Sequence, residues 1–236
     1  MGKIPPVDPQ KDPVPSDTPP EECVRIRRDR SRFVVPEPSQ EFLRSEAFGM
    51  FSITTYEGPA PETNCVQEIQ IIAYLGKEAV GYMEGYVADL ASYGSQSSFR
   101  LDMDAVSQTT YDAAEAVLAT GSSFWRRRGL LLFLDTAEVS PEHRLKGLAR
   151  AMTGAMVAAA KTGRRSLDII AQPYPLDMKI VKPEDVKGRQ EVTKEEWDAE
   201  GEAITKTWLK LLPCLCCLGK GGLEGDRLYY FGRLSG

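Results

Sequence analysis

Within the stretch Val139-Ser140-Pro141-Glu142-His143-Arg144-Leu145-Lys146-Gly147-Leu148-Ala149-Arg150, three cations and a glycine crowd against the start of an Ala-rich apolar run. That combination suits an anion. A helix beginning near residue 145 leaves its first backbone N–H groups without intrahelical acceptors, at the positive end of the helix dipole. Gly147 lacks the Cβ that would keep a phosphate from the backbone. Leu148 can turn into a core, Ala149 keeps the next turn small, and Arg144, Lys146 and Arg150 add positive charge. A doubly charged pyrophosphate would be well held there. Just upstream, Asp135 and Glu138 sit in the second half of an apolar run, where a carboxylate can take a proton from a nucleophile directly or through water. Strand alternation puts Asp135 and Val139 on one face and Glu138 on the other, unless a bulge intervenes.

These residues need a strand–loop–helix frame, and the chain supplies one. Leu130 to Val139 is an apolar run bounded by Gly129 and Pro141, which reads as a central strand covered on both faces. The segment from Leu145 to Lys161 repeats Leu148, Met152, Ala155, Met156 and Ala159 at helical spacing, with Gly163 placed to end the helix. Leu167 to Ala171 reads as a second buried strand, stopped by Gln172-Pro173.

On these residues the chain resembles the GNAT family of acyl-CoA-dependent N-acetyltransferases. Arg144-Leu145-Lys146-Gly147-Leu148-Ala149 is similar to that family's Arg/Gln-x-x-Gly-x-Gly/Ala signature, and Glu138-Val139-Ser140-Pro141 resembles the strand end that leads into it. A looser likeness extends over about residues 45–234. The resemblance implies an α/β (α+β) fold with a mixed, largely antiparallel central sheet flanked by helices. Its fourth and fifth strands, here Leu130–Val139 and Leu167–Ala171, would splay apart. Acetyl-CoA would lie in that gap as co-substrate, its pantetheine arm paired with the fourth strand. The backbone N–H near Val139 would polarise the thioester carbonyl. Val139, Arg144, Leu145, Lys146, Gly147, Leu148, Ala149 and Arg150 would hold the cofactor. Asp135 lies four residues before Val139, where the family often carries an acid, and Glu138 is the other candidate base. The acceptor would be a primary amine of a small molecule, protein or peptide, attacking without a covalent enzyme intermediate. The family often places an acid tyrosine in its last helix, but Thr207-Trp208-Leu209-Lys210-Leu211-Leu212-Pro213-Cys214 holds none. That departure bears on catalysis more than on cofactor binding, so an acyl-CoA-binding regulatory module is the alternative. Tyr229 and Tyr230 are the nearest substitutes.

Other reactive residues read less sharply. His143, the one histidine, can shuttle protons or simply sit in the loop. Cys214, Cys216 and Cys217 could bind a metal as thiolates, yet Cys23 and Cys65 offer no partner spacing, and no metal is expected. Trp197 and Trp208 fall on one stripe with Ile204 and Leu211 and read as core. Arg126-Arg127-Arg128 either meets the 3′-phosphate of CoA or is a solvated run. Arg25 to Arg32 is either a targeting or anion-binding patch or a solvated lead into the fold.

The remaining pattern supplies the rest of a sheet. Phe48 to Tyr56 is rich in β-formers, and Val66 to Leu75 with Ala79 to Leu90 reads as a hairpin around Gly76-Lys77-Glu78. Residues 93–103 look irregular, 105–120 helical and 178–192 loop-like. Thr193 with Glu196 forms a capping box, and residues 228–234 give a last strand. Residues 1–40 read as a Pro-rich, then Arg-rich tail that buries too little apolar surface to order itself. Residues 41–236 read as one domain with an insert at about 92–128, where acceptor recognition would sit together with residues 174–192.

Bulk properties narrow the class. The chain of 236 residues is 42% hydrophobic, enough for a substantial core. Its net charge of −5 argues against broad nucleic-acid binding. The longest apolar run is too short to span a bilayer, and the start has no apolar signal core, so a cytoplasmic or nuclear location is expected.

Overall fold

The computed structural model describes residues 24–27, 33–63, 65–119, 125, 128–161, 165–172, 178–181, 191–221 and 227–234. Strand β1 (Val24–Arg27) comes first, followed by four strands in meander order: β2 (Glu41–Phe48), β3 (Phe51–Pro59), β4 (Val66–Leu75) and β5 (Glu78–Asp89). The helical pair α1 (Gln96–Val106) and α2 (Gln108–Leu118) leads to β6 (Leu130–Val139), α3 (Leu148–Ala160) and β7 (Leu167–Ala171). Then come β8 (Met178–Val181), α4 (Lys194–Leu211), β9 (Cys216–Gly221) and β10 (Arg227–Leu234).

Eight strands form one sheet in the order β2-β3-β4-β5-β6-β7-β10-β9, while β1 and β8 make a separate antiparallel pair. Every pairing in the large sheet is antiparallel except β6 with β7, which α3 connects. The mixed, largely antiparallel sheet is therefore as the sequence implied.

Helices cover both faces. Met152, Met156 and Leu148 of α3 pack on Ile71, Met83, Leu132, Leu134 and Ile169. On the opposite face Phe99, Met103, Val117 and Leu118 of α1 and α2 pack on Ala88, Leu131, Phe133 and Ile170. Within β6 the even residues 130, 132 and 134 thus face α3 and the odd residues 131 and 133 face α1 and α2, as a strand buried on both sides requires. No helix of the described residues is long and apolar enough to cross a membrane.

Several local expectations are corrected. The irregular stretch 93–103 mostly belongs to α1, because Ser95 caps it and accepts from the Ser98 N–H, and Ser107 caps α2 the same way. The β-rich run from Phe48 is a turn of two strands, with β2 ending where β3 is about to begin. β8 opens the stretch expected as a loop. The Cys-rich segment enters β9, at the end of the sheet remote from β2. α3 begins at Leu148, three residues later than the pattern indicates, with Gly147 as its cap. The glycine stop at Gly163 lies outside the described residues.

Candidate active site

β6 pairs with β7 only from Leu130 to Leu134, where Leu134 meets Ala171. Beyond that point β7 has ended, while β6 continues to Val139 against β5 alone. The two parallel strands therefore open a gap, and a cleft of about 380 Å³ occupies it. That is the size of a small-ligand site. Leu134, Ala137 and Val139 of β6 form its floor, and Arg144 and Ala149 stand at the loop end. The far wall is α4, which presents Ile204, Trp208 and Leu211. Trp208 also packs against the core under α3, yet no residue of α4 is fully buried. The stripe read as core is thus mainly a cleft wall, and Trp197 does not line it.

The loop between β6 and α3 opens onto this cleft. After Ser140 comes a short 3₁₀ turn over Pro141–His143. Leu145 and Gly147 then take positive φ, +61° and +81°. The first helical hydrogen bond runs from the Ala151 N–H to the Gly147 carbonyl at 3.1 Å, so the N–H groups of Leu148, Ala149 and Arg150 precede the ladder. Gly147 is favoured by its left-handed φ, and a Cβ there would also press on Phe48 Cζ at 3.3 Å. Leu148 is buried against the core, while Lys146, Arg144 and Arg150 are exposed around the loop. The Arg144 Nε donates to the Val139 carbonyl at 3.1 Å, at the last residue of the unpaired strand end.

His143 is a structural part of the loop. Its Nδ1 lies 2.8 Å from Ser140 Oγ, and its ring meets the Phe51 ring edge-on at 5.8 Å. Ser140 itself is buried and donates its N–H to the Val80 carbonyl at 2.9 Å, tying the loop to β5.

A bulge decides where the acids point. Across β5 and β6, Glu84 pairs with Thr136 but Gly85 pairs with Leu134, which leaves Asp135 as an extra residue. Asp135 and Thr136 consequently stand on the same side, and the Thr136 hydroxyl donates to Asp135 Oδ2 at 3.3 Å. Leu134, Ala137 and Val139 all face α3. Glu138 thus falls on the same side of the sheet as Asp135, opposite to Val139, as only a bulge allows. Both acids border the cleft. Asp135 also borders a small cavity under α2, beside Thr110 and Ala113. Gly85 makes the kink possible, since a Cβ there would lie 2.8 Å from the Phe133 carbonyl oxygen.

Burial, and after it the negative charge of Glu84, hold the Asp135 carboxyl above the usual carboxylate range, and the Thr136 hydroxyl opposes this. Glu84 is clamped by two phenols: the Tyr82 hydroxyl donates to Oε2 at 2.5 Å and the Tyr86 hydroxyl donates to Oε1. Both phenols are raised by burial first and by their bond to Glu84 second. One strand further on, buried Glu68 accepts from Gln40 Nε2 at 2.7 Å and Gln70 Nε2 at 2.5 Å. Burial also raises Glu68, with the charge of Glu84 adding to it. Sequence reasoning missed this polar strip. Its signal was the alternation Tyr82-x-Glu84-x-Tyr86 inside a strand.

The remaining candidates separate from the site. Tyr229 is buried in the core under α1 and α2, and Tyr230 in the core under α3; neither borders the cleft. Thr207 is the hydroxyl that α4 presents there, and it donates to the Ala203 carbonyl at 3.0 Å. Arg128 sits before Leu130, at the other end of β6 from the loop; Arg126 and Arg127 lie outside the described residues. Ten residues of strand separate the two ends, about 30 Å at 3.3 Å per residue, so Arg128 does not meet a phosphate at the loop. Cys214 is half-buried and packs against the core under α3, and no metal-holding group of His, Cys, Asp and Glu occurs among the described residues.

No family model and no curated protein matches the sequence. Among solved structures, the chain is similar to nourseothricin acetyltransferase at 14% identity and a TM-score of 0.32, over 71% of this chain; it spans 64% of that protein's length. It is also similar to NAA60 of Arabidopsis thaliana, crystallised with a bisubstrate analogue, at 8% identity and a TM-score of 0.33, over 72% of this chain and 75% of that one. The mixed sheet, the β6 strand that outruns its parallel neighbour, and the glycine loop that opens onto the gap are the arrangement that the resemblance to the GNAT family implies.

Proposed function

We propose that the protein is an N-acetyltransferase that moves an acetyl group from acetyl-CoA to a primary amine by direct attack. One observation carries this reading: the gap between β6 and β7 holds an acid at a bulge within it and an anion-suited loop at its end. The pyrophosphate of the donor would rest on the N–H groups ahead of α3, among Arg144, Lys146 and Arg150. The pantetheine arm would run into the cleft along the unpaired edge of β6, displacing Arg144 from the Val139 carbonyl. The N–H near Val139 would polarise the thioester carbonyl. The amine nitrogen then forms the new C–N bond, the C–S bond breaks, and CoA leaves as thiolate. Asp135 takes the proton that the amine loses, with Glu138 as the second candidate. A carboxylate whose proton affinity is raised suits this role, because a base works best when its pKa lies near the working pH. We read residues 41–236 as the catalytic domain, with α1 and α2 as its insert.

A second reading is an acyl-CoA-binding regulatory module. The observation favouring it is that α4 offers the cleft a threonine hydroxyl and no tyrosine to protonate the leaving thiolate. A thiolate leaves without help more readily than an alkoxide, so this does not remove activity. Calorimetry with acetyl-CoA and thiol release over a panel of amines decide between the two. Binding plus amine-dependent thiol release is the expected result. Binding with no release above hydrolysis assigns the regulatory role, and no binding removes both readings.

A further inference from the structure

We propose that the β2–β3 turn, through Phe48 and Met50, forms with Leu145 a platform for the purine nucleotide end of the acyl donor. The inference rests on the reading that the loop ahead of α3 holds the donor's pyrophosphate. The loop has two flanks. On one, Arg144 and Ala149 border the cleft. On the other, the loop meets the β2–β3 turn: His143 packs on Phe51, and Phe48 Cζ stands 3.3 Å from the Cβ position of Gly147. A linear donor with its pyrophosphate on the loop and its pantetheine in the cleft leaves on the remaining flank, toward Phe48.

The chemistry of that flank fits a flat aromatic base carrying phosphates. Phe48 is 38% exposed, Met50 is 71% exposed and Leu145 is fully exposed, so the turn and the loop that meet here carry large apolar side chains that the fold leaves mostly uncovered. Lys146 and Arg150, both exposed, belong to the same loop and the first turn of α3. Glu46, the acid of β2 nearest the turn, is paired with Arg44 at 3.2 Å. Leu145 adds a separate sign. Its φ of +61° is disfavoured for any residue with a Cβ, yet its side chain buries nothing in return. Such strain is kept where a ligand contact makes use of it.

The test compares two ligands on the full chain by calorimetry: CoA, and 4′-phosphopantetheine, which lacks the nucleotide. Phe48→Ala is expected to weaken CoA about tenfold, the scale of losing one base–aromatic stack, while leaving 4′-phosphopantetheine unchanged. Met50→Ala alters an exposed side chain that the fold does not need, and it is expected to weaken CoA in the same selective way. Adenosine 3′,5′-bisphosphate should compete for the wild type and about tenfold less well for Phe48→Ala. Equal losses for both ligands would mean that Phe48 merely supports the loop, which overturns the proposal. So would unchanged CoA affinity in both variants while the wild type binds CoA. A wild type that binds neither ligand removes the acyl-CoA reading itself.

Discussion

At the scale of single residues, Asp135 and Gly147 have opposite kinds of constraint. Asp135, the proposed base, sits in surroundings hostile to its charge: burial and Glu84 both favour its neutral form. The sign follows. The base is the ionised form, so activity should fall on the acid side at a pH above the ordinary aspartate range. For stability the same shift runs the other way. A carboxyl raised in the folded state binds more protons there than in the unfolded chain, so its contribution declines as pH rises through the folded value. Asp135→Asn should therefore lower kcat by about 10²–10⁴-fold, abolish the acid limb of the pH–rate profile and leave CoA affinity intact, as steady-state kinetics and calorimetry would show. An unmoved pH profile would transfer the role to Glu138. Gly147 is constrained by shape. Gly147→Glu sets a side chain at φ +81° against Phe48 and a negative charge in the anion loop, so CoA binding should drop below detection while circular dichroism stays native.

Among the elements, α4 is held differently from α3. α3 buries Leu148, Met152 and Met156 across the sheet, whereas α4 has no fully buried residue and presents its apolar stripe to the cleft. Its first turn depends on a reciprocal cap, in which Thr193 Oγ1 accepts from the Glu196 N–H at 3.2 Å and Glu196 Oε2 accepts from the Thr193 N–H at 3.0 Å. Thr193→Ala should cost about 1 kcal/mol locally. With so little packing to compensate, the loss should appear as faster amide exchange across the first turns of α4 and weaker donor binding. The stability of the rest of the sheet should hardly change.

For the whole molecule, the sheet was more legible in the sequence than the site. β6, α3, β7 and β10 announce themselves because a strand or helix buried on one or two faces must carry apolar residues at a fixed period, and the first half of β6, Leu130 to Leu134, does so without interruption. β2 escapes that logic. It lies at the edge, mostly exposed, so no burial pattern marks it. α1 hides for a related reason: it buries only Phe99 and Met103 in eleven residues. The loop at Gly147 could be read because glycine, cations and helix onset are local features. The acids could not be placed, since their orientation depends on the pairing of β5 with β6, and Glu84 carries only the alternation Tyr82-x-Glu84-x-Tyr86. The same holds for the apolar stripe of α4, where periodicity shows that a face is wanted but not whether protein or ligand will cover it.

The bulge at Asp135 has one more consequence. With that residue taken out, β6 alternates without a fault: Leu130, Leu132 and Leu134 are followed by Ala137 and Val139, all toward α3. The proposed base is thus a single inserted residue in a strand whose register is complete without it, so the chemistry is separable from the architecture that hosts it. Deleting Asp135 outright should straighten the strand and leave a folded protein that still binds CoA, with turnover reduced to that of Asp135→Asn. If the deletion instead unfolds the chain, as a thermal melt would reveal, the kink belongs to the architecture after all.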